Sequence, residues 1–294
     1  MNGRGIILGC LALGFATADT VRAQNILLKD GTTIATKGLR RTGDTIMATV
    51  DIPIPASPGQ PAKVQTGELG YLLSKIAKLD FPEPPQLNTA PELIATGKVE
   101  EAIAQIDPVV RYYESFRDAP GSWWQESLLI KVEALQALEN YKESDPLIDN
   151  LSRLATDPET LRAAKVFIAA KLTRRGDHAR ALEMFEQVLK ETRKPMTLAT
   201  ASVNMGHCYL ALKQYDEALL AFLQIPVFYP RQKMLLAQAL LGSARAYYGL
   251  EDLPRAKTTL DELLKDFATS PQAADAKAEL EKIAKREKAL APPK

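Results

Sequence analysis

Between Leu198 and Pro230 the chain reads LATASVNMGHCYLALKQYDEALLAFLQIPVFYP, and few folds accommodate such a stretch. Leu198, Ser202, Met205, Gly206 and Tyr209 recur at helical spacing, and Lys213 to Asp216 make a short polar turn. A second helical pattern then runs through Ala218, Leu219, Phe222 and Ile225 to Tyr229, where Pro230 stops it. The two patterns predict an antiparallel helix pair. Ala or Gly at the crossing lets the backbones approach to about 8 Å, while Tyr209 and Phe222 fill the space beside it. One such pair cannot bury both of its faces, so the stretch demands neighbours of its own kind.

Those neighbours are present. Small residues at the equivalent position of each second helix are Ala102, Ser144, Ala181, Ala218 and Ala256, separated by 42, 37, 37 and 38 residues. Ile168, Ala169 and Leu172 with Phe185 complete the third unit, and Leu240, Ala244 and Tyr247 with Leu260 the fifth. Val132, Leu135 and Ile148 mark a worn second unit; the first keeps only Gly97 and Ala102. Gly97 and Gly176 stand where the turn between paired helices needs a positive φ. The pattern resembles the tetratricopeptide repeat (TPR), whose ideal length is about 34 residues. The resemblance implies a mainly α fold over residues 87–269, a right-handed solenoid of about five helix pairs. Leu263 to Pro271, followed by Ala273, Ala274 and Ala276, is similar to the repeat boundary of envelope TPR proteins such as the Tol-Pal-associated coordinator and outer-membrane assembly lipoproteins. Ser270 caps the next helix and Pro271 opens it, so residues 270–290 read as a polar capping helix and 291–294 as a disordered tail.

The front of the chain differs in kind. Residues 1–23 read as a secretory leader: Arg4, an apolar run from Ile6 to Ala16, and Val21-Arg22-Ala23 before the cleavage point. Ile7 to Cys10 partly resembles a lipobox, which makes a lipid-anchored outer-membrane form the alternative to a periplasmic or secreted one. Residues 24–82 predict a small β module of four or five short strands. Ile26 and Leu28 alternate before Asp30-Gly31, Thr33 to Leu39 follow, Ile46 to Ile52 alternate again, and Lys63 to Thr66 and Ile76 to Phe81 complete the set. A single turn is expected at Leu72 to Ser74. The segment resembles SH3-like and Sm-like barrels. Residues 83–86 read as a Pro-rich linker.

The chain carries 37 Lys and Arg against 36 Asp and Glu, and no segment beyond the leader is long and apolar enough to span a bilayer. That balance recruits neither nucleic acid nor an anionic membrane surface. His178 and His207 fall in different units, and His207 and Cys208, adjacent on a helix, diverge by about 100°. Neither a metal site nor a nucleophile is expected, no cofactor motif is present, and no catalytic residue is assigned. The TPR resemblance instead implies a protein-binding groove on the first helices of successive units, carried by Glu126, Leu129, Glu133, Val166, Arg174, Val203, His207, Arg245 and Tyr248. Its acidic end is Glu126 and Glu133; its basic end, at Arg174, His207 and Arg245, suits a peptide with an acidic stretch and apolar anchors. The expected function is a non-enzymatic scaffold or adaptor that holds another cell-envelope protein or peptide segment. A self-associating homo-oligomer and an accessory subunit of an envelope enzyme complex are the alternatives. Trp123, Trp124, Tyr112, Tyr113 and Phe116 read as packing residues.

Overall fold

The computed structural model describes residues 25–54 and 63–290. The predicted leader and C-terminal tail lie outside them. The chain divides into two compact units, one ending at Pro82 and the other beginning at Glu83.

The first unit is built from β1 (Asn25–Leu28), β2 (Thr33–Ala35), β3 (Gly38–Thr42), β4 (Thr45–Ile54), β5 (Lys63–Leu72) and β6 (Ile76–Asp80). They form two antiparallel three-stranded sheets, ordered β2-β1-β6 and β3-β4-β5. Gly31 takes φ +89° in the first turn, and the Asp30 carboxylate accepts the Thr32 amide at 2.9 Å. Ile26, Ile46, Ala48, Ile76 and Leu79 are wholly buried. The expected Thr33 to Leu39 strand is two strands in different sheets. The expected Lys63 to Thr66 strand runs on to Leu72, pairing with β4 from Ile54↔Lys63 to Thr45↔Leu72. Gly67 and Gly70 depress strand propensity there, and ladder pairing overrides it. The expected turn is a 3-10 turn, Leu73–Lys75.

The second unit consists of α1 (Gln86–Ala95), α2 (Val99–Tyr113), α3 (Trp124–Ala137), α4 (Tyr141–Leu154), α5 (Pro158–Arg174), α6 (His178–Glu191), α7 (Pro195–Ala211), α8 (Tyr215–Phe228), α9 (Lys233–Gly249), α10 (Leu253–Asp266) and α11 (Gln272–Leu290). Successive helices pair as expected into a TPR-like solenoid, five pairs and a final helix. The five aligned small residues, Ala102, Ser144, Ala181, Ala218 and Ala256, are all fully buried. Each pair turns through the same device. The amides of Lys98, Asn140, Asp177, Gln214 and Asp252 donate to the carbonyls of Leu93, Leu135, Leu172, Tyr209 and Tyr247, five residues earlier, which closes a Schellman motif. Gly97 and Gly176 hold the left-handed position at φ +81° and +85°; Glu139, Lys213 and Glu251 hold it in the other turns at 54°, 60° and 63°.

Phe222 locks the fourth pair to the fifth. An added Cβ on Gly206 of α7 would lie 2.7 Å from its ring, and one on Gly242 of α9 would collide with it, so the ring occupies a notch cut by two glycines. Buried around it are Ala199, Val203, Ala218, Ile225 and Ala239.

The array also closes on itself. Each repeat of an ordinary solenoid touches only its neighbours. Here α1 packs against α3, as expected, and also against α9. The turn after α1 sits on the loop between α10 and α11 so closely that a Cβ on Gly97 would overlap the Thr269 carbonyl. The first helices α1, α3, α5, α7 and α9 therefore enclose what the sequence implied to be an open groove.

Gly97 and Gly176 share the same backbone conformation, but Gly176 has nothing within 4 Å of its missing Cβ. Both alanine variants suffer the left-handed penalty of about 1 kcal/mol. Only Gly97→Ala also opens the ring. In urea unfolding Gly97→Ala is expected to lose at least about 1 kcal/mol more than Gly176→Ala, the excess reporting closure.

Candidate functional site

The enclosed face holds two cavities. The first, about 340 Å3, is walled by α1, α3, α5 and the start of α7. Leu87 and Pro91 come from α1, Leu129 and Ile130 from α3, Val166 and Phe167 from α5, and Met196 from α7. The second, about 350 Å3, is lined by polar groups of α3, α5, α7, α9 and α11, among them Gln136, Arg174, Asn204, His207 and Arg245. Glu133 lines both.

The helical period dictates which α3 side chains arrive there. Glu126, Leu129, Ile130 and Glu133 are spaced i, i+3, i+4, i+7 and share one face, with Val132 and Leu135 buried on another. Upstream, Trp124 is buried and its indole donates to Glu114 Oε2 at 2.7 Å, while Trp123 is half-buried and lines the first cavity. Tyr113 and Phe116 are buried as packing residues; Tyr112 is 37% exposed.

The structure brings seven of the nine expected groove residues to the enclosed face. Glu126, Leu129, Glu133 and Val166 line the first cavity, and Arg174, His207 and Arg245, with Glu133, the second. Val203 instead points into the core beside Phe222, and Tyr248 lies under the Arg286 guanidinium, 5.0 Å from its ring. The two arginines are already engaged. Arg174 pairs with Asp145 at 2.8 Å, reaches Gln136 at 3.3 Å and stacks 3.8 Å over Tyr141. Arg245 bridges Asp275 and Glu279, each at 2.9 Å, which ties α9 to α11. An acidic peptide would compete with three carboxylates of the fold for these cations.

The acidic end is different. No hydrogen bond or ion pair reaches the Glu133 carboxylate among the described residues, and burial pushes its pKa up to about 7. Glu126 Oε2 is buried without a hydrogen-bond partner, and burial, with Asp157 nearby, raises that carboxyl too. His207 meets Phe222 edge to face at 5.1 Å, and burial, reinforced by Arg245, lowers its imidazole to about 4. It is therefore neutral at pH 7. Cys208 is buried, and its thiol is raised by burial; its Sγ lies 3.7 Å from Nδ1 of His178 in the preceding pair. Among the described residues no three His, Cys, Asp or Glu side chains are grouped as a metal site would need.

The spacing of the acids was readable from α3 alone. The contributions of Phe167, Met196 and α1 to their surroundings were not, because they arise from ring closure and from α5 and α7 meeting α3.

Two family models described as tetratricopeptide repeat match residues 172–239 and 238–270, so this part of the array is similar to tetratricopeptide repeats. No curated protein matches the chain. Among solved structures, nearly identical TPR-like repeats from Podosopora anserina share 18% identity, with 60% of this chain and 91% of that one covered at a TM-score of 0.38. YrrB, described as a TPR protein with an unusual peptide-binding site, shares 18%, with 65% and 91% covered at 0.34. BtubC from P. vanneervenii shares 13%, with 70% and 95% covered at 0.37.

Glu133 and His207 impose opposite pH dependences. Glu133 titrates higher in the fold than its ordinary 4.5, so between pH 4.5 and 7 the folded chain binds more protons and stability falls as pH rises. His207 titrates lower than its ordinary 6.5, so stability falls as pH drops from 6.5 to 4. Each effect is about 3 kcal/mol in size and the two largely cancel between them. Replacing Glu133 by Gln removes one side. The variant is expected to gain on the native chain as pH rises from 4.5 to 7, by up to about 3 kcal/mol in denaturant unfolding, leaving the His207 dependence uncovered.

Proposed function

We propose that this chain is an exported, non-catalytic docking scaffold that holds another protein of the cell envelope, and that the outer face of α8 is its principal contact surface. The observation that carries this reading is the composition of α8. It buries Ala218, Ala221, Phe222 and Ile225 in the array, yet presents Leu220, Val227 and Phe228 to solvent at 68%, 64% and 69% exposure, with Leu223 between them. A surface helix ordinarily turns polar residues outward; one whose outer face carries a run of exposed apolar side chains is built to be covered there. Phe228 is braced edge to face by Tyr229 at 6.4 Å, which fixes the end of the stripe. The concave side is the weaker docking surface because α1 closes it and its arginines are paired.

Export rests on the leader-like residues 1–23, and an envelope location on the boundary motif Leu263 to Pro271. The partner that fits α8 is a protein with an apolar strip of its own, the mode in which helical faces recognise amphipathic segments. Self-association through the same stripe is the second reading, and the oligomeric state of the native chain distinguishes the two. The N-terminal module, with its two small sheets, is proposed as an auxiliary contact.

Crosslinking capture from the native envelope tests the assignment, with Leu220→Glu/Val227→Glu as the paired variant. One or two envelope proteins are expected to be captured by the native chain and lost from the variant, while far-UV circular dichroism is unchanged. Retention of every captured protein by the variant overturns the α8 surface. A native dimer that becomes monomeric in the variant by light scattering replaces the adaptor reading with self-assembly.

A further inference from the structure

The α8 stripe leaves the first enclosed cavity without a role, and that cavity is chemically specific. Its volume of about 340 Å3 falls within the range of small-molecule sites, about 300–1,000 Å3. Five carboxylates and a single ammonium, Lys194, line it. Two of the carboxylates are engaged by the fold: Asp157 caps α5 by accepting the Thr160 amide at 2.7 Å, and Glu159 pairs with Arg162 at 2.6 Å. Glu83 lies at the rim, exposed, and accepts from Asn88 at 3.2 Å. That leaves Glu126 and Glu133.

These two face the cavity from the same side of α3, two helical turns apart, about 10.5 Å along the axis. Between them the wall is apolar, with Leu129 and Ile130 from α3 and Val166 and Phe167 opposite. Glu126 Oε2 is buried and unpartnered. A buried, partnerless acceptor is costly, by about 1–3 kcal/mol or more when charged, and beside Glu126 Oε2 stands the Glu133 carboxylate, half-buried and reached by no protein donor among the described residues.

We propose that this cavity binds an elongated aliphatic dication, a chain bearing an ammonium group at each end, with one ammonium on Glu126, the other on Glu133, and the methylenes along Leu129, Ile130, Val166 and Phe167. The length is set by α3. An extended eight-carbon terminal diamine places its nitrogens about 11 Å apart, which matches the spacing of the two carboxylates. A four-carbon diamine reaches only one. One ammonium meets the Glu133 carboxylate, which no protein donor reaches among the described residues, and the other the unpartnered Oε2 of Glu126, and charge-assisted bonds of this kind are the strong ones. The exposed rim at Glu83, Asn88 and Lys194 gives the ligand its entry. The inference does not rest on the docking role of α8, and either stands without the other.

Titration calorimetry of the full mature chain with three probes tests it: the eight-carbon terminal diamine, octylamine with a single ammonium, and the four-carbon diamine. The eight-carbon diamine is expected to bind at 1:1 and at least about ten-fold more tightly than either of the others, with a change in Trp123 emission. Glu126→Gln and Glu133→Gln are each expected to weaken it about ten-fold or more. Both substitutions are nearly isosteric, and the second relieves a buried charge, so loss of fold is not the cause of lost binding; unchanged circular dichroism and a thermal midpoint no lower than the native chain's verify this. No binding of the eight-carbon diamine at millimolar concentration overturns the proposal. Equal affinity for octylamine overturns the two-carboxylate geometry, and retention of affinity in both Gln variants places any binding elsewhere.

Discussion

The contact between α1 and α9 governs the rest of the helical unit. Stacked repeats satisfy their apolar faces pairwise and leave two consequences unresolved, an exposed first helix and an open inner face. In this chain the first helix answers both at once. Gly97 makes it feasible: its left-handed backbone turns the chain after α1, and its missing side chain lets that turn rest on Thr269. One position thus carries a local requirement and a long-range one, separated by more than 170 residues of sequence.

Closure changes the chemistry of side chains that local sequence would leave ordinary. On an open inner face Glu126 and Glu133 would be solvated and would titrate as surface carboxylates do. Inside the ring they lose water, Glu133 without gaining a protein donor among the described residues and Glu126 with Oε2 left unpartnered, and their charged forms become costly. Arg174 and Arg245 undergo the same enclosure with the opposite outcome, because α4 and α11 supply Asp145, Asp275 and Glu279. The interior is therefore asymmetric. Its two arginines are neutralised by the fold, and Glu133 is not.

This asymmetry marks the boundary of what was legible in the sequence. Periodicity and small residues placed the helix pairs, since Ala102, Ser144, Ala181, Ala218 and Ala256 report crossings between neighbours, where local pattern and contact coincide. The glycine turns were legible for the same reason. Glu139, Lys213 and Glu251 adopt the same left-handed conformation without glycine because the Schellman hydrogen bonds and the flanking helices outweigh a penalty of about 1 kcal/mol. The first repeat looked degenerate because α1 packs on α3 and α9 together, and a helix serving two interfaces departs from the pattern selected by one. Val203 was assigned to the groove by register; it packs in the core beside Phe222 instead, while Asn204 and His207 of the same helix reach the cavity. In the β unit, pairing along all of β5 was hidden by its glycines, whose low propensity says nothing about a partner strand.

The same reasoning separates the two apolar features that the fold leaves uncovered. The walls of the first cavity are apolar because inner helices must pack, and its chemistry lies in the two acids that interrupt them. The stripe on α8 is apolar where packing makes no demand, since Phe222 and Ile225 already anchor that helix from its other side. Leu220, Val227 and Phe228 contribute nothing to the closed ring, and leaving them in water opposes solubility. An interior with unmet charge calls for a small ligand that brings donors with it; an exterior with unmet apolar surface calls for a macromolecule that excludes water. Ring closure is what makes these separate demands, because it removes the inner face from macromolecular reach and leaves the outer helices to meet partners.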